Sequence, residues 1–304
     1  MLRGNLAVER VIVVSRIVII TGGSSGIGRA LGAALVARGD DVVLAARTAA
    51  DVQRAADELS AQGPGKARGA VLDVRNADEV TDLVNDVYDN YGRLDLMINN
   101  AGVCVFGFAD ELTRGYWEQI YDTNVRGVLH GVLAAYPVMI KQGYGQIANT
   151  ASLAGLLPVP LQGPYTMTKH AVAGLTMSLR VEARAHGVRV NLICPGVIET
   201  PLLDKGGPPG LPPTPHVFAD ARGLMRHATH SAPYPVARLA REVLRDLDKD
   251  RSIIVRPSSA RWLWRLYRLS PRMAEAYGRN YVRWATEHMS ATRGPDELIL
   301  STRS

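Results

Sequence analysis

Short, unbroken apolar runs alternate along this chain with stretches in which apolar residues return every three or four positions, and the two periods predict different elements. Strands are predicted at Arg16–Thr21, Asp41–Ala46, Ala67–Val74, Leu94–Asn99, Gly145–Thr150, Arg189–Cys194 and Ser252–Arg256. Helical patterns lie between them, as in Ala30, Leu31, Ala34 and Leu35 after the first strand. Strands that are apolar at every position have both faces covered, and strand–helix–strand alternation makes them parallel. The expected fold is therefore α/β: a doubly wound parallel sheet of seven strands with helices on both faces. Ligands of such sheets bind beyond the carboxyl ends of the strands. That rim gathers TGGSSG from Thr21, NNAG from Asn99, TAS from Thr150 and CPG from Cys194.

Length sets the number of units. With 304 residues, 47% of them hydrophobic, the chain can bury one large core and carry an appendage. The expected division is a leader over 1–15, a catalytic domain over 16–257 and a C-terminal extension over 258–304. Within 200–235, the stretch Lys205–His216 (KGGPPGLPPTPH) is too rich in proline and glycine for helix or central strand. It reads as a substrate loop or lid, with a linker as the alternative. His216, His227 and His230 have no zinc-type spacing and read as polar loop residues.

Charge is concentrated at one end. From Arg256 onward, nine arginines against four acids carry five of the chain's six net positive charges. Arg261, Arg265, Arg268 and Arg272 recur at helical spacing, with Trp262, Leu266 and Leu269 on other faces and Trp264 and Tyr267 adding aromatic surface, until Pro271 interrupts the pattern. Such a basic amphipathic stretch either packs its apolar face over the substrate mouth or a neighbouring subunit, or lies on an anionic membrane surface. Nucleic acid is not an expected partner, because the basicity comes from one aromatic-rich tail without a recognised module. Cys104 and Cys194 make no disulfide framework and point to a reducing compartment. The apolar run Val11–Ile20 is broken by Ser15 and Arg16, is too short to span a bilayer and doubles as the first strand. The expected location is cytoplasmic, with membrane association through the tail as the variant of that reading.

Two local patterns carry chemistry. Between the first strand and its helix, Gly22, Ser24, Ser25, Gly26, Ile27 and Gly28 form a glycine-rich turn. Glycines there let the backbone turn tightly and approach a pyrophosphate at the positive end of a helix. Further on, Tyr165 and Lys169 stand four residues apart on one predicted helix, Gly163–Ala185, with Ser152 thirteen residues upstream. Positions i and i+4 share a face, so the ammonium can approach the phenol and favour its ionised form. With Ser152 as a donor to a carbonyl, the set reads as proton transfer to or from an oxygen.

TGGSSGIG, NNAG, Ser152, YTMTK at Tyr165–Lys169 and PGVIET at Pro195–Thr200, in this order, resemble the short-chain dehydrogenase/reductase family, in its branch with a single compact Rossmann-fold domain. The likeness runs from about Arg16 to Arg256. It implies that Tyr165 is the general acid/base while hydride passes between nicotinamide and a carbonyl carbon. It further implies that Ser152 bonds the reacting oxygen, that Lys169 holds the nicotinamide ribose and lowers the Tyr165 pKa, and that Asn124 anchors a relaying water. Asp73 and Val74 match adenine-contacting positions, and Asn99, Ala101 and Gly102 match the segment beside the ribose. Pro195 and Gly196 break the chain after the sixth strand and count among the cofactor-binding positions, and Val197, Ile198 and Thr200 match the carboxamide contacts. The family also implies a homodimer or homotetramer, paired through long helices represented here by Leu112–Lys141 and Gly163–Ala185.

The second strand ends in Ala45, Ala46, Arg47 and Thr48, without the acidic residue that usually grips the ribose hydroxyls of NAD. Arg47 offers a planar fork suited to phosphate and Thr48 a hydroxyl, so NADP(H) is the expected cofactor and NAD(H) the alternative. Apolar residues around the expected pocket (Val103, Val105, Phe106, Leu153, Leu156, Leu157 and Leu161) suggest a lipophilic secondary alcohol or ketone as the small-molecule substrate. A protein that binds NADP as a sensor or scaffold without turnover is the reading from a different class.

Overall fold

The computed structural model describes residues 15–204, 207, 210–211, 222–223, 225–226 and 232–290. Residues 1–14 of the leader, His216, His227, His230 and most of the proline-rich stretch lie outside the described residues.

Seven parallel strands form one sheet: β1 (Ile17–Thr21), β2 (Asp41–Ala46), β3 (Ala67–Val71), β4 (Leu96–Asn99), β5 (Gly145–Thr150), β6 (Val188–Pro195) and β7 (Ile253–Arg256). Their spatial order is β3-β2-β1-β4-β5-β6-β7, so the chain reverses its winding direction between β1 and β4. Every side chain of β1 is buried, and they alternate between two cores. Ile17 and Ile19 pack on one face with Val84, Val128, Val172 and Leu179. Val18 and Ile20 pack on the other with Leu31, Leu35, Val52 and Leu244. The first face is covered by α3 (Ala77–Tyr91), α5 (Gly127–Gln142) and α6 (Gly163–Ala183), the second by α1 (Gly26–Val36), α2 (Ala49–Ser60) and α7 (Val236–Asp248). The doubly wound expectation is met, and each strand lies within a few residues of its predicted bounds.

Two differences have physical causes. The helix expected over Leu112–Lys141 divides into α4 (Arg114–Tyr121), a wider π turn over Asp122–Arg126, and α5. The π turn aims Asn124 inward, where its amide donates to the Val103 carbonyl at 2.9 Å and to Thr168 Oγ1 at 3.1 Å. Its Oδ1 accepts from the Val103 amide at 2.8 Å. These three hydrogen bonds pair the enclosed Asn124 amide and offset the break in helical regularity. The third strand ends at Val71, short of Asp73, whose carboxylate turns to Arg75.

Beyond β7 the chain continues as two helices, α8 (Ser258–Leu269) and α9 (Pro271–Ser290). Ala260 packs against the core next to Val255, and Gly278 lies so close to Pro160 that a Cβ there would stand 3.3 Å from its ring. The extension thus folds back over the carboxyl rim of the sheet.

Candidate active site

The reversal between β1 and β4 opens a cavity of about 1700 Å³ along that rim. Gly22, Ser24, Ser25, Gly26 and Ile27 form its floor. Gly22 and Gly26 have φ of +66° and +55°, a left-handed backbone that favours glycine, and a Cβ on Gly22 would lie 2.9 Å from the Ala101 Cα. Gly28 does not line the cavity, because its position lets α1 start tight against the turn: a Cβ there would lie 2.3 Å from the Gly22 carbonyl oxygen. The first turn of α1 carries no acidic residue and Ser25, its N-cap, makes no capping bond, so the helix presents unshielded amides to the cavity. That donor set fits a pyrophosphate.

At one end Ala45 and Ala46, which close β2, and Arg47 and Thr48 just after it line the cavity together with Asp73 and Val74. Asp51 and Arg54 line the same end, paired at 2.6 Å. The strand end is free of acids as expected, but the wall is not: one turn into α2 a carboxylate returns with its own counter-ion.

NNAG divides its labour. Ala101 and Gly102 line the cavity, and so does Asn100, whose side chain donates to the Thr21 carbonyl at 3.1 Å. Asn99 does not line it. This residue is fully enclosed in β4, where it donates to Asn149 Oδ1 at 2.8 Å, and Asn149 donates in turn to Thr176 Oγ1. The cofactor contact expected of Asn99 is corrected to a polar tie between β4, β5 and α6. Its neighbour Asn100 could have been noticed as the position where the strand's alternation turns the side chain to the rim.

The chemistry-bearing side chains meet in the middle of the cavity. Ser152 follows β5 in extended conformation, accepts from the Ala154 amide at 3.1 Å, donates to the Pro195 carbonyl at 3.5 Å and lines the cavity together with Tyr165. Tyr165 and Lys169 lie on the first turns of α6, and the Lys169 ammonium stands 5.5 Å from the centre of the Tyr165 ring while donating to the Thr150 carbonyl at 2.9 Å. A Cβ on Gly102 would be 3.4 Å from that ammonium and 3.2 Å from Asn124 Oδ1, so the glycine keeps the space between them open. Asn124 itself is enclosed behind the cavity wall. Thr150 Oγ1 is buried on this wall with no hydrogen-bond partner.

Burial pushes the Tyr165 phenol well above its usual value, opposed by the neighbouring Ser152 hydroxyl. Burial lowers the pKa of the Lys169 ammonium to about 8. Cys104, also on the wall, is pushed up to about 12 by burial and stays a thiol at neutral pH.

On the far side of Tyr165 the wall is apolar. Val103, Phe106, Leu153 and Leu157 line it as expected. Val105, Leu156 and Leu161 do not: Val105 packs under Leu112 and Tyr116, Leu156 joins the sheet core, and Leu161 braces the wall from behind with Phe106 and Tyr281. Pro195, Gly196, Val197, Ile198 and Thr200 form the edge between the two halves, tied to the outer chain by the Glu199 amide bonding the Tyr234 carbonyl at 2.9 Å. Tyr267, named in the stretch with the substrate mouth as one of its expected docking places, lines the apolar half, and sequence reasoning missed Met225, Leu263, Tyr277 and Tyr281 beside it.

The sequence matches the family model described as short chain dehydrogenase over residues 16–208. The chain belongs to the short-chain dehydrogenase family. It is 35% identical over 188 residues to the D-beta-hydroxybutyrate dehydrogenase of Rhizobium meliloti, a match that covers 62% of this chain and 73% of that enzyme. Among solved structures, a short-chain dehydrogenase/reductase from Burkholderia phymatum in complex with NAD superposes with a TM-score of 0.77 at 31% identity, covering 86% of this chain and 95% of that one. The alcohol dehydrogenase of the archaeon Thermococcus sibiricus, complexed with 5-hydroxy-NADP, has a TM-score of 0.66 at 25% identity, with 79% and 94% covered. As a short-chain dehydrogenase/reductase the chain is an oxidoreductase of CH–OH groups and their carbonyls that uses a nicotinamide dinucleotide. The family match ends before the extension that closes the apolar half of its cavity.

Proposed function

We propose that this enzyme interconverts a lipophilic secondary alcohol and its ketone with NADP(H), Tyr165 acting as general acid/base. The observation that carries the reading is the convergence of Ser152, Tyr165 and Lys169 on one stretch of wall, where the glycine-floored half of the cavity meets its apolar half. When bound, the dinucleotide supplies or accepts the hydride. Residues that would hold it are the Gly22–Ile27 turn, Arg47 and Thr48, Asp73 and Val74, Ala101 and Gly102, Tyr165 and Lys169, and Pro195, Gly196, Ile198 and Thr200.

Ser152 and Tyr165 place two hydroxyl donors on one oxygen, and a well-placed donor to a developing oxyanion is worth ~3 kcal/mol. At neutral pH the phenol holds its proton and Lys169 is cationic, the charge state suited to protonating a carbonyl under reduction. Asn124 holds Val103 and Thr168 beside the gap that Gly102 leaves open toward Lys169, where a relaying water has room. For the cofactor, Arg47 favours a 2′-phosphate, and Asp51 on the same wall favours NAD(H) as the competing reading. Exposed Leu133 on α5 and Met177 and Val181 on α6 support assembly as a homodimer or homotetramer through these helices. A cytoplasmic site of action accompanies this reading.

Tyr165→Phe tests the acid/base assignment. Turnover should fall ~1000-fold while the dissociation constant for NADPH stays within a few-fold of wild type. A phenylalanine variant that reduces a good ketone near the wild-type rate removes the assignment.

A further inference from the structure

The extension closes the cavity with one face and leaves another, more apolar face to solvent. At 100° per residue, Ala260, Trp264 and Tyr267 of α8 turn toward the protein, and Trp262, Leu263, Leu266 and Leu269 occupy a contiguous outward arc. Leu269 is 83% exposed and Trp262 61%, values reached by few large apolar side chains among the described residues. Arg261, Arg265 and Arg268 flank the arc, and α8 contains no acid. Arg265 lies over the Trp262 ring at 5.2 Å and Arg268 over Trp264 at 5.5 Å, so the cations follow the edge of the apolar face. Arg272 continues the row at the start of α9. Leu263 and Leu266 belong to both surfaces: they are exposed, and they line the cavity. An unbroken apolar path thus runs from the outer face of α8 into the chamber beside Tyr165.

The geometry points to a peripheral docking surface for an anionic lipid bilayer, with α8 lying in the interface and the cavity mouth opening toward it. An apolar arc inserts among acyl chains while flanking arginines bind lipid phosphates. Charge complementarity selects lipid over a second copy of the chain: a two-fold contact across this face would bring arginine rows together with no acid of α8 between them. No helix among the described residues is long and apolar enough to cross a membrane, so attachment is to the surface. Docking stands on the arc and its arginines alone. Delivery of substrate from the bilayer, the further consequence, rests on the proposed lipophilic ketone or alcohol.

Cosedimentation of the full chain with vesicles tests the docking. Vesicles containing phosphatidylglycerol at low salt should pellet the protein at least about tenfold more effectively than pure phosphatidylcholine, and high salt should weaken the binding. A double variant, Trp262→Glu with Leu269→Glu, should lose binding about tenfold or more. Neither residue lines the cavity, so its circular dichroism and its turnover of a small water-soluble ketone should match wild type. Failure of the wild type to pellet at low salt overturns the proposal, as does equal pelleting of the variant. A solution mass that falls from oligomer to monomer in the variant, without lipid binding by the wild type, assigns the face to a second copy instead. Because pelleting needs no turnover, a failed docking test and a failed functional reading are distinguishable.

Discussion

The two halves of the one cavity are built on different principles. The cofactor half is shaped by backbone: Gly22 and Gly26 in left-handed conformation, Gly28 against the Gly22 carbonyl, and strand ends whose side chains alternate toward the rim. Few residue types satisfy such constraints, so the sequence there is narrow in its options. The substrate half is shaped by volume. Phe106, Leu157, Met225 and Tyr281 come from loops and helices far apart in the chain and are required only to be apolar and of suitable size. A short-chain dehydrogenase can therefore keep the first half while rebuilding the second, and this one rebuilds it with α8 and α9.

Substitutions should separate the two halves, and the largest effect is expected where they meet. Lys169→Met should lower turnover by roughly 100-fold or more while stabilising the fold by about 2 kcal/mol near neutral pH, because it removes a buried cation. The sign follows from linkage: between pH about 8 and the ordinary lysine value of 10.5, the unfolded chain holds a proton that the folded chain has released. Wild-type stability should thus rise with pH across that window, and the variant's advantage should shrink to nothing above it. Denaturant melts at several pH values check both, and a less stable variant at neutral pH contradicts the argument.

Arg47→Glu should act on the cofactor half alone, raising the NADPH dissociation constant by about 50-fold while changing that for NADH only a few-fold. Equal effects on both dinucleotides, measured by fluorescence titration, would shift the reading toward Asp51 and NAD. Tyr281→Ala should act on the substrate half alone. It should raise KM for bulky ketones by about fivefold, leave KM for a small ketone unchanged and leave dinucleotide affinity intact. A KM change common to all ketones would mean that α9 supports the whole site rather than one wall of it.

The same division explains what could be read from residues alone. All seven strands and the glycine turn were legible because parallel strands buried on both faces are apolar throughout, and because a tight turn at a helix N-terminus demands glycine. Tyr165, Lys169 and Ser152 were legible together, each being short on alternatives at its place along the rim. Asn99 was misread because one residue of register decides whether a strand side chain faces the rim or the sheet's interior. Asp51 and Arg54 went unseen because they reach the cavity from one turn into a helix that otherwise reads as a solvent-exposed cover. Tyr277 and Tyr281 were beyond reach for another reason: the periodicity of an amphipathic helix identifies its apolar face but not what that face covers.

The central claim is NADP-linked redox chemistry on a lipophilic ketone in this cavity, and initial rates of NADPH and NADH oxidation with a bulky alicyclic ketone test it most directly. The account predicts ketone-dependent consumption of NADPH with one alcohol formed per dinucleotide, and a kcat/KM at least about tenfold above that with NADH. Binding of the dinucleotide without ketone-dependent consumption of either form, across ketones of different size, would contradict it.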